Sequence, residues 1–244
     1  MMKPLADIIG EVFIPKPGTQ KGSNPGGIHH DSETGEKHYV KYYGNGEQAK
    51  TEALTAKIYH HMGIHTLQPE HHEIGGQHAV ATKWNEHLKP MKPHEFESLK
   101  PHQQKQIGKM YHAAVLTKNW DVVGLEHDNI VQHKHTGDLY SVDQGGSFHF
   151  RARGGPKEYG PDIGEHHSLR HTPPGGYGNA SAHVFSTVFK QNPKVEMHGL
   201  EAVKKIDDNH IHHLFKTSGL KNWKELHSNF QARKQKLLDH YKGG

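Results

Sequence analysis

Asp121, Asn129 and Asp143 follow one another along the chain, in Asn119-Trp120-Asp121, Asp128-Asn129-Ile130 and Ser141-Val142-Asp143-Gln144-Gly145-Gly146. Carboxylate and carboxamide oxygens are hard ligands of the kind Mg²⁺ takes. An Asp beside an acceptor hydroxyl can orient or deprotonate it. Together, two acids and an amide at one end of a predicted hairpin could serve phosphoryl transfer, in which positioning and charge neutralisation carry most of the catalysis. Asp128 is the other candidate for the acid next to the acceptor, although its place directly before Asn129 argues for a different direction.

Three further pieces lie upstream. Gly22-Ser23-Asn24-Pro25-Gly26-Gly27 is a turn-rich run. Glycines let backbone amides approach phosphate oxygens with no Cβ in the way. The run lacks the Gly-Lys-Ser/Thr ending of a Walker loop, which disfavours that nucleotide class. Lys41 sits between Val40 and Tyr42 in a predicted strand, and alternation puts it on the face opposite both. Glu52 lies on the helix predicted next and can pin such a lysine, with Glu47 the weaker rival. Taken singly, these are a turn, an exposed strand lysine and a solvated helix acid. Their order along the chain is the signal.

The elements that would position these residues follow from periodicity. Ile28–Asp31 and Lys37–Tyr43 read as strands. Residues 47–62 read as a helix, with Leu54, Ile58 and Met62 one turn apart and Gly63 as its stop. Strands are predicted at His71–Ile74 and His78–Trp84, split by Gly75-Gly76. The proline-bearing stretch 85–101 reads as a hinge. Residues 103–118 form a second helix with Ile107, Met110, Tyr111, Ala114 and Val115 on one face. Strands 129–133 and 139–142 make the hairpin. Residues 151–178 read as a long loop rich in Gly, Pro and His. Helices then close the chain at Ala180–Gln191, in two pieces within 199–217, and at 223–241. The predicted class is α+β: a small antiparallel-sheet lobe with one helix (1–88) and a larger helical lobe (89–244).

The order of these motifs resembles the protein-kinase-like superfamily, and most closely its atypical branch of phosphatidylinositol 3/4-kinases and HipA-type bacterial kinases. In that branch an Asp is followed by an Asn-Ile strand and then by Asp-x-Gly, matched here by Asp121, Asn129-Ile130 and Asp143-Gln144-Gly145. The runs 22–27, 119–124 and 143–146 are also reminiscent of compact kinase-like proteins from bacteria and their phages. The resemblance spans residues 20–155.

It implies a two-lobed fold with ATP and Mg²⁺ as cofactors. The run containing Gly22, Ser23, Asn24, Gly26 and Gly27 would cover the β- and γ-phosphates. Lys41, oriented by Glu52, would meet the α- and β-phosphates, and adenine would rest against 82–86. Asn129 and Asp143 would hold the metal, and Asp121 would orient a hydroxyl on a protein Ser/Thr, a lipid headgroup or a small molecule. Arg151 and Arg153 are candidates to meet that substrate. The chain also departs from the pattern. Asp121 and Asn129 lie eight positions apart rather than about five, which calls for a longer loop within 122–125. No Arg or His flanks Asp121, Gln144 replaces the aromatic of Asp-Phe-Gly, and no Ala-Pro-Glu segment follows.

Composition sets the remaining bounds. The chain has 244 residues, 32% of them hydrophobic, and a mean hydropathy of −0.89. The surface is therefore very polar and the core modest, yet the amphipathic segments argue against disorder. No apolar run is long enough to span a membrane and no secretory signal is legible at the N-terminus, so the expectation is a soluble, cytoplasmic protein. Cysteine is absent, which excludes disulfides and thiolate sites. Lys and Arg exceed Asp and Glu by only 30 to 26, and the densest basic stretch, 221–236, is interrupted by Glu225. This argues against nucleic acid as a partner. The 27 histidines include five adjacent pairs but no His-Glu-x-x-His, and they read as polar surface residues. His210 and His213, three apart on a predicted helix, could chelate weakly. The alternatives to a kinase are an inactive kinase-like nucleotide-binding or interaction module, and a His-rich metal-binding or virion-associated protein.

Overall fold

In a computed structural model, residues 13–15, 24–32, 34–172 and 179–242 are described. Gly22 and Ser23 of the expected phosphate loop lie outside the described residues.

The chain begins with strands β1 (Phe13–Pro15), β2 (Gly26–Asp31) and β3 (Lys37–Tyr43), and then helix α1 (Gly46–His61). Asn45 caps α1 by accepting the Glu47 amide on its side chain, which satisfies one of the free N–H groups at the helix start. The short β4 (His65–Thr66) precedes a hairpin of β5 (Glu70–Ile74) and β6 (Gln77–Lys83). Five of these strands form one antiparallel sheet in the order β1-β2-β3-β6-β5. Its core is small: Val40, Ile74, Ala79 and Ala81, with Tyr42 packed alongside.

The first difference from the sequence reading is at Gly26 and Gly27. They belong to β2 and pair with Lys41 and Val40, where a loop over phosphates was expected. A Cβ on Gly26 would stand 2.2 Å from the Val40 carbonyl oxygen. Glycine is needed there because β2 and β3 approach closely.

The stretch 85–101 also holds more structure than a hinge. It contains β7 (Leu88–Pro90) and a 3₁₀ turn at Pro93–Ser98. Helix α2 (Pro101–Thr117) opens with proline at its first position, and the Gln103 side chain accepts the Lys100 amide. It buries Ile107, Met110, Tyr111, Ala114 and Val115, among others, in the main core. Strands β8 (Ile130–His133) and β9 (Leu139–Ser141) form the hairpin. They join a second sheet in the order β4-β9-β8-β7, in which β4 pairs with β9 in parallel.

The expected long loop contains one helical turn, α3 (Glu165–Ser168). Helices α4 (Ala180–Gln191), α5 (Lys194–Lys204), α6 (Asp208–Thr217) and α7 (Trp223–Lys242) complete the larger lobe. The main cluster includes Phe148, Phe185, Phe215 and Phe230, and it reaches across to Leu54, Ile58, Tyr59 and Met62 of α1. Helix α1 is therefore anchored on the large lobe's core as well as under the sheet.

Candidate active site

Lys41 and Tyr43 stand two apart on β3 and so face the same side. Lys41 Nζ lies 3.1 Å from Glu52 Oε2 and 2.6 Å from Asp143 Oδ1. The Tyr43 hydroxyl donates to the same Glu52 oxygen. Glu52, not Glu47, is the partner of Lys41; Glu47 pairs with Lys50 and accepts the Lys221 amide. Burial pulls the Lys41 ammonium down, but the Glu52 and Asp143 carboxylates outweigh it and hold the group well above its usual value. Burial also pushes the Glu52 carboxyl up, against the pull of Lys41. The two directions compete. The charged pair prevails because the ammonium also has Asp143 at 2.6 Å, and charge-assisted bonds of this length are the strong ones. Tyr43 was not singled out from the sequence, although its spacing from Lys41 was the available signal.

Asp143 follows β9 in the left-handed region, with φ 56°, a conformation Asp tolerates better than most residues. This turn aims the carboxylate back at Lys41. Gln144 is buried and donates to Ser141 Oγ at 3.1 Å, so the residue in place of the usual aromatic is tied to its own loop. Gly145 fits under α1: a Cβ there would stand 2.7 Å from the Tyr43 hydroxyl and 3.2 Å from Glu52 Oε2. Gln48 of α1 donates to the Gly145 carbonyl at 3.3 Å.

Asp121 is brought in from the end of α2. Lys118 closes that helix at φ 53°, and Asn119 accepts the Asp121 amide at 3.0 Å while donating to Tyr59. The long interval to Asn129 then folds back on itself. Val122 and Val123 insert into the core, the chain turns at Gly124, and the Asn129 amide N–H bonds to the Val123 carbonyl at 3.1 Å. The Asn129 side chain donates to the Asp121 carbonyl at 2.7 Å and to Asp121 Oδ2 at 3.2 Å. The three extra positions are thus taken up by a turn with a buried apolar base. The Asp128 carboxylate lies against Gly124, inside its own loop. Burial raises the Asp121 carboxyl to about 6, with Asp143 and Asp128 adding to the shift and Asn129 and Lys41 opposing it.

The donor chemistry suits a hard cation. Asn129 bonds Asp121 through its N–H groups, so its carbonyl oxygen is left over, and Asp143 has one carboxylate oxygen beyond the one on Lys41. The Asp143 side chain is 46% exposed against 12% for Lys41. Two remaining oxygen donors fit Mg²⁺.

Other candidates are placed as follows. Gly27 is buried in β2 and Asn24 is half-buried before it. Trp84, within the expected adenine wall, bonds its amide to the Lys37 carbonyl and packs its ring 6.4 Å from Tyr39. Arg151 stands with its guanidinium 5.5 Å from the Trp120 ring centre; Arg153 is exposed. His210 stacks on His61 at 4.5 Å. Among the described residues, no group of three histidine or carboxylate side chains is arranged to hold a metal, and no helix is long and apolar enough to cross a membrane.

Sequence reasoning passed over what supports Asp121 from behind. The Trp120 indole donates to Glu165 Oε1 at 3.1 Å, and Glu165 pairs with the fully buried Arg233. Arg233 also donates to the carbonyls of Val115, Gly160 and Asp162. These contacts join α2, α3 and α7 without any periodic pattern.

No protein-family model matches the chain, and no curated protein sequence does. Among solved structures, the chain is similar to the Helicobacter pylori proinflammatory kinase CtkA, with a TM-score of 0.60 at 13% identity. The match covers 93% of this chain and 94% of that one. At this identity the likeness is one of fold: the chain has a kinase-like, two-lobed α+β architecture.

Proposed function

We propose that the protein is an ATP- and Mg²⁺-dependent phosphotransferase that moves the γ-phosphate of ATP to a hydroxyl acceptor. The observation that carries this reading is the meeting of Lys41, Glu52 and Asp143 at one point of the cleft, with Asp121 held against Asn129 beside them. Lys41, fixed by Glu52 and Tyr43, binds and orients the α- and β-phosphates. Asn129 and Asp143 hold the metal, which when bound neutralises phosphate charge and fixes the transferred group. Asp121, raised to about 6, is ionised at neutral pH and takes up the proton of the acceptor hydroxyl. The motif order favours the atypical, HipA-type or phosphatidylinositol-kinase-like branch, with protein Ser/Thr the first acceptor class to test. Dependence on ATP favours the cytoplasm as its place of action.

The test is transfer of labelled γ-phosphate, with Mg²⁺, to a panel of protein, lipid and small-molecule acceptors. Asp143→Ala is expected to lose about 10²–10³-fold in rate. Equal transfer by wild type and variant would remove Asp143 from the metal site. A nucleotide-dependent rise in Tm with no transfer to any acceptor or to water would instead favour an inactive nucleotide-binding module.

A further inference from the structure

Lys157 lies in the Gly- and Pro-rich stretch after the hairpin, and nothing in the reaction above uses it. The residue is 8% exposed. Its Nζ donates to the Lys118 carbonyl at 2.5 Å and to the Gly146 carbonyl at 2.6 Å. The same ammonium stands 4.9 Å from the centre of the Trp120 ring. Lys118 directly precedes Asn119-Trp120-Asp121, and Gly146 ends Asp143-Gln144-Gly145-Gly146. One side chain therefore bonds the main chain of both loops that carry the acids. The two loops also touch at Gly146, where a Cβ would stand 3.3 Å from the Ala152 nitrogen and 3.4 Å from the Asp121 Cβ.

We propose that Lys157 is a positioning residue, whose ammonium holds the Asp121 loop at a fixed distance from the Asp143 loop; this rests on the phosphotransfer reading. Neutral bonds join the same segments as well: the Phe148 amide to the Thr117 carbonyl at 2.7 Å, further from the acids, and the Val142 amide to the Asn129 carbonyl at 3.0 Å, with Asn129 in turn bonded to Asp121 at 2.7 Å. Lys157 is the charged joint among them and stands against Trp120. A displacement of about 1 Å in such a constellation is worth about 10²-fold in rate.

The joint titrates. Burial lowers the Lys157 ammonium to about 7; Glu165 opposes the shift, and Lys118, Arg233 and Arg151 add to it. Loss of the proton removes one donor and the charge that strengthens the two carbonyl bonds. The rate should then fall as Lys157 deprotonates near pH 7.

The experiment measures labelled γ-phosphate transfer against pH for wild type, Lys157→Arg and Lys157→Met, together with KM for ATP and Tm. Lys157→Arg is expected to lose the alkaline limb, because a guanidinium stays charged to about pH 12. Lys157→Met is expected to lower kcat about 10²-fold, with KM for ATP unchanged. An alkaline limb that persists in Lys157→Arg, or wild-type kcat in Lys157→Met, overturns the proposal. If Lys157→Met does not fold, the Lys157→Arg profile decides. Trp120 fluorescence reads the joint without activity: it should inflect near pH 7 in wild type, at a higher pH or not at all in Lys157→Arg, and not in Trp120→Phe. An inflection in a protein that neither binds ATP nor transfers phosphate overturns the kinase reading and leaves the joint; no inflection overturns the joint.

Discussion

The Lys41 ammonium meets the Asp143 carboxylate at 2.6 Å across 102 positions of sequence, while Glu52 holds it from the other side at 3.1 Å. One cation thereby links a strand of the small lobe, the helix behind it and the acid that ends the hairpin of the large lobe. Tyr43 completes the group by bonding the Glu52 oxygen.

This arrangement makes Lys41 and Glu52 energetically dependent on one another. A double-mutant cycle with Lys41→Met and Glu52→Gln, read by urea denaturation, is expected to return an interaction energy of about 1–3 kcal/mol. Additive effects would mean that the pair does not act as a unit. Lys41→Met is also expected to abolish any rise of Tm with Mg·ATP.

Gly145 has little room for a side chain beside the Lys41–Glu52 pair. Its substitution by Ala drives a methyl into the Tyr43 hydroxyl and the Glu52 carboxylate, and such overpacking costs about 1–3 kcal/mol. Gly145→Ala should lower stability by that amount and weaken ATP binding. The control Gly160→Ala, where a Cβ meets nothing within 4 Å, should change neither.

Asp121 gives a pH signature of definite sign. Its folded pKa is raised to about 6 from an ordinary 3.8, so between these values the native state holds a proton that the unfolded chain has released. Its contribution to stability therefore falls as pH rises through that window. Asp121→Asn should match wild type in stability at pH about 4 and exceed it above pH about 6, with transfer activity lost throughout. A flat difference between the two stability profiles would contradict the assigned environment.

His112 acts in the opposite sense. It is wholly buried, bonds the Gly108 carbonyl through Nδ1 at 3.0 Å and leaves Nε2 without a partner. Burial lowers its pKa from 6.5 to about 4. Its contribution is present above pH 6.5 and is lost as pH falls toward 4. Urea titrations should show wild type losing more stability across that window than His112→Gln.

Much of this was legible in the sequence, and the physical reasons separate what was from what was not. Helices α1 and α2 announce themselves through an apolar face repeated each turn, and Lys41 faces away from Val40 and Tyr42 because β3 alternates. Gly26 and Gly27 misled because a glycine run reads as a turn, whereas here it lets two strands touch. The closure from Asp121 to Asn129 depends on Val122 and Val123 sinking into a core formed by distant residues, which no local pattern encodes. Lys157, Glu165 and Arg233 left no periodic trace, since each bonds main-chain carbonyls or side chains far along the chain.

In the proposed reaction Asn129 and Asp143 share a metal over the phosphates held by Lys41. The most direct measurement is a crystal structure with Mg²⁺ and a non-hydrolysable ATP analogue. The account predicts one metal bonded to the Asn129 carbonyl oxygen and an Asp143 carboxylate oxygen, with Lys41 on the α- or β-phosphate. A nucleotide seated outside the cleft, or a metal held by neither residue, would contradict it.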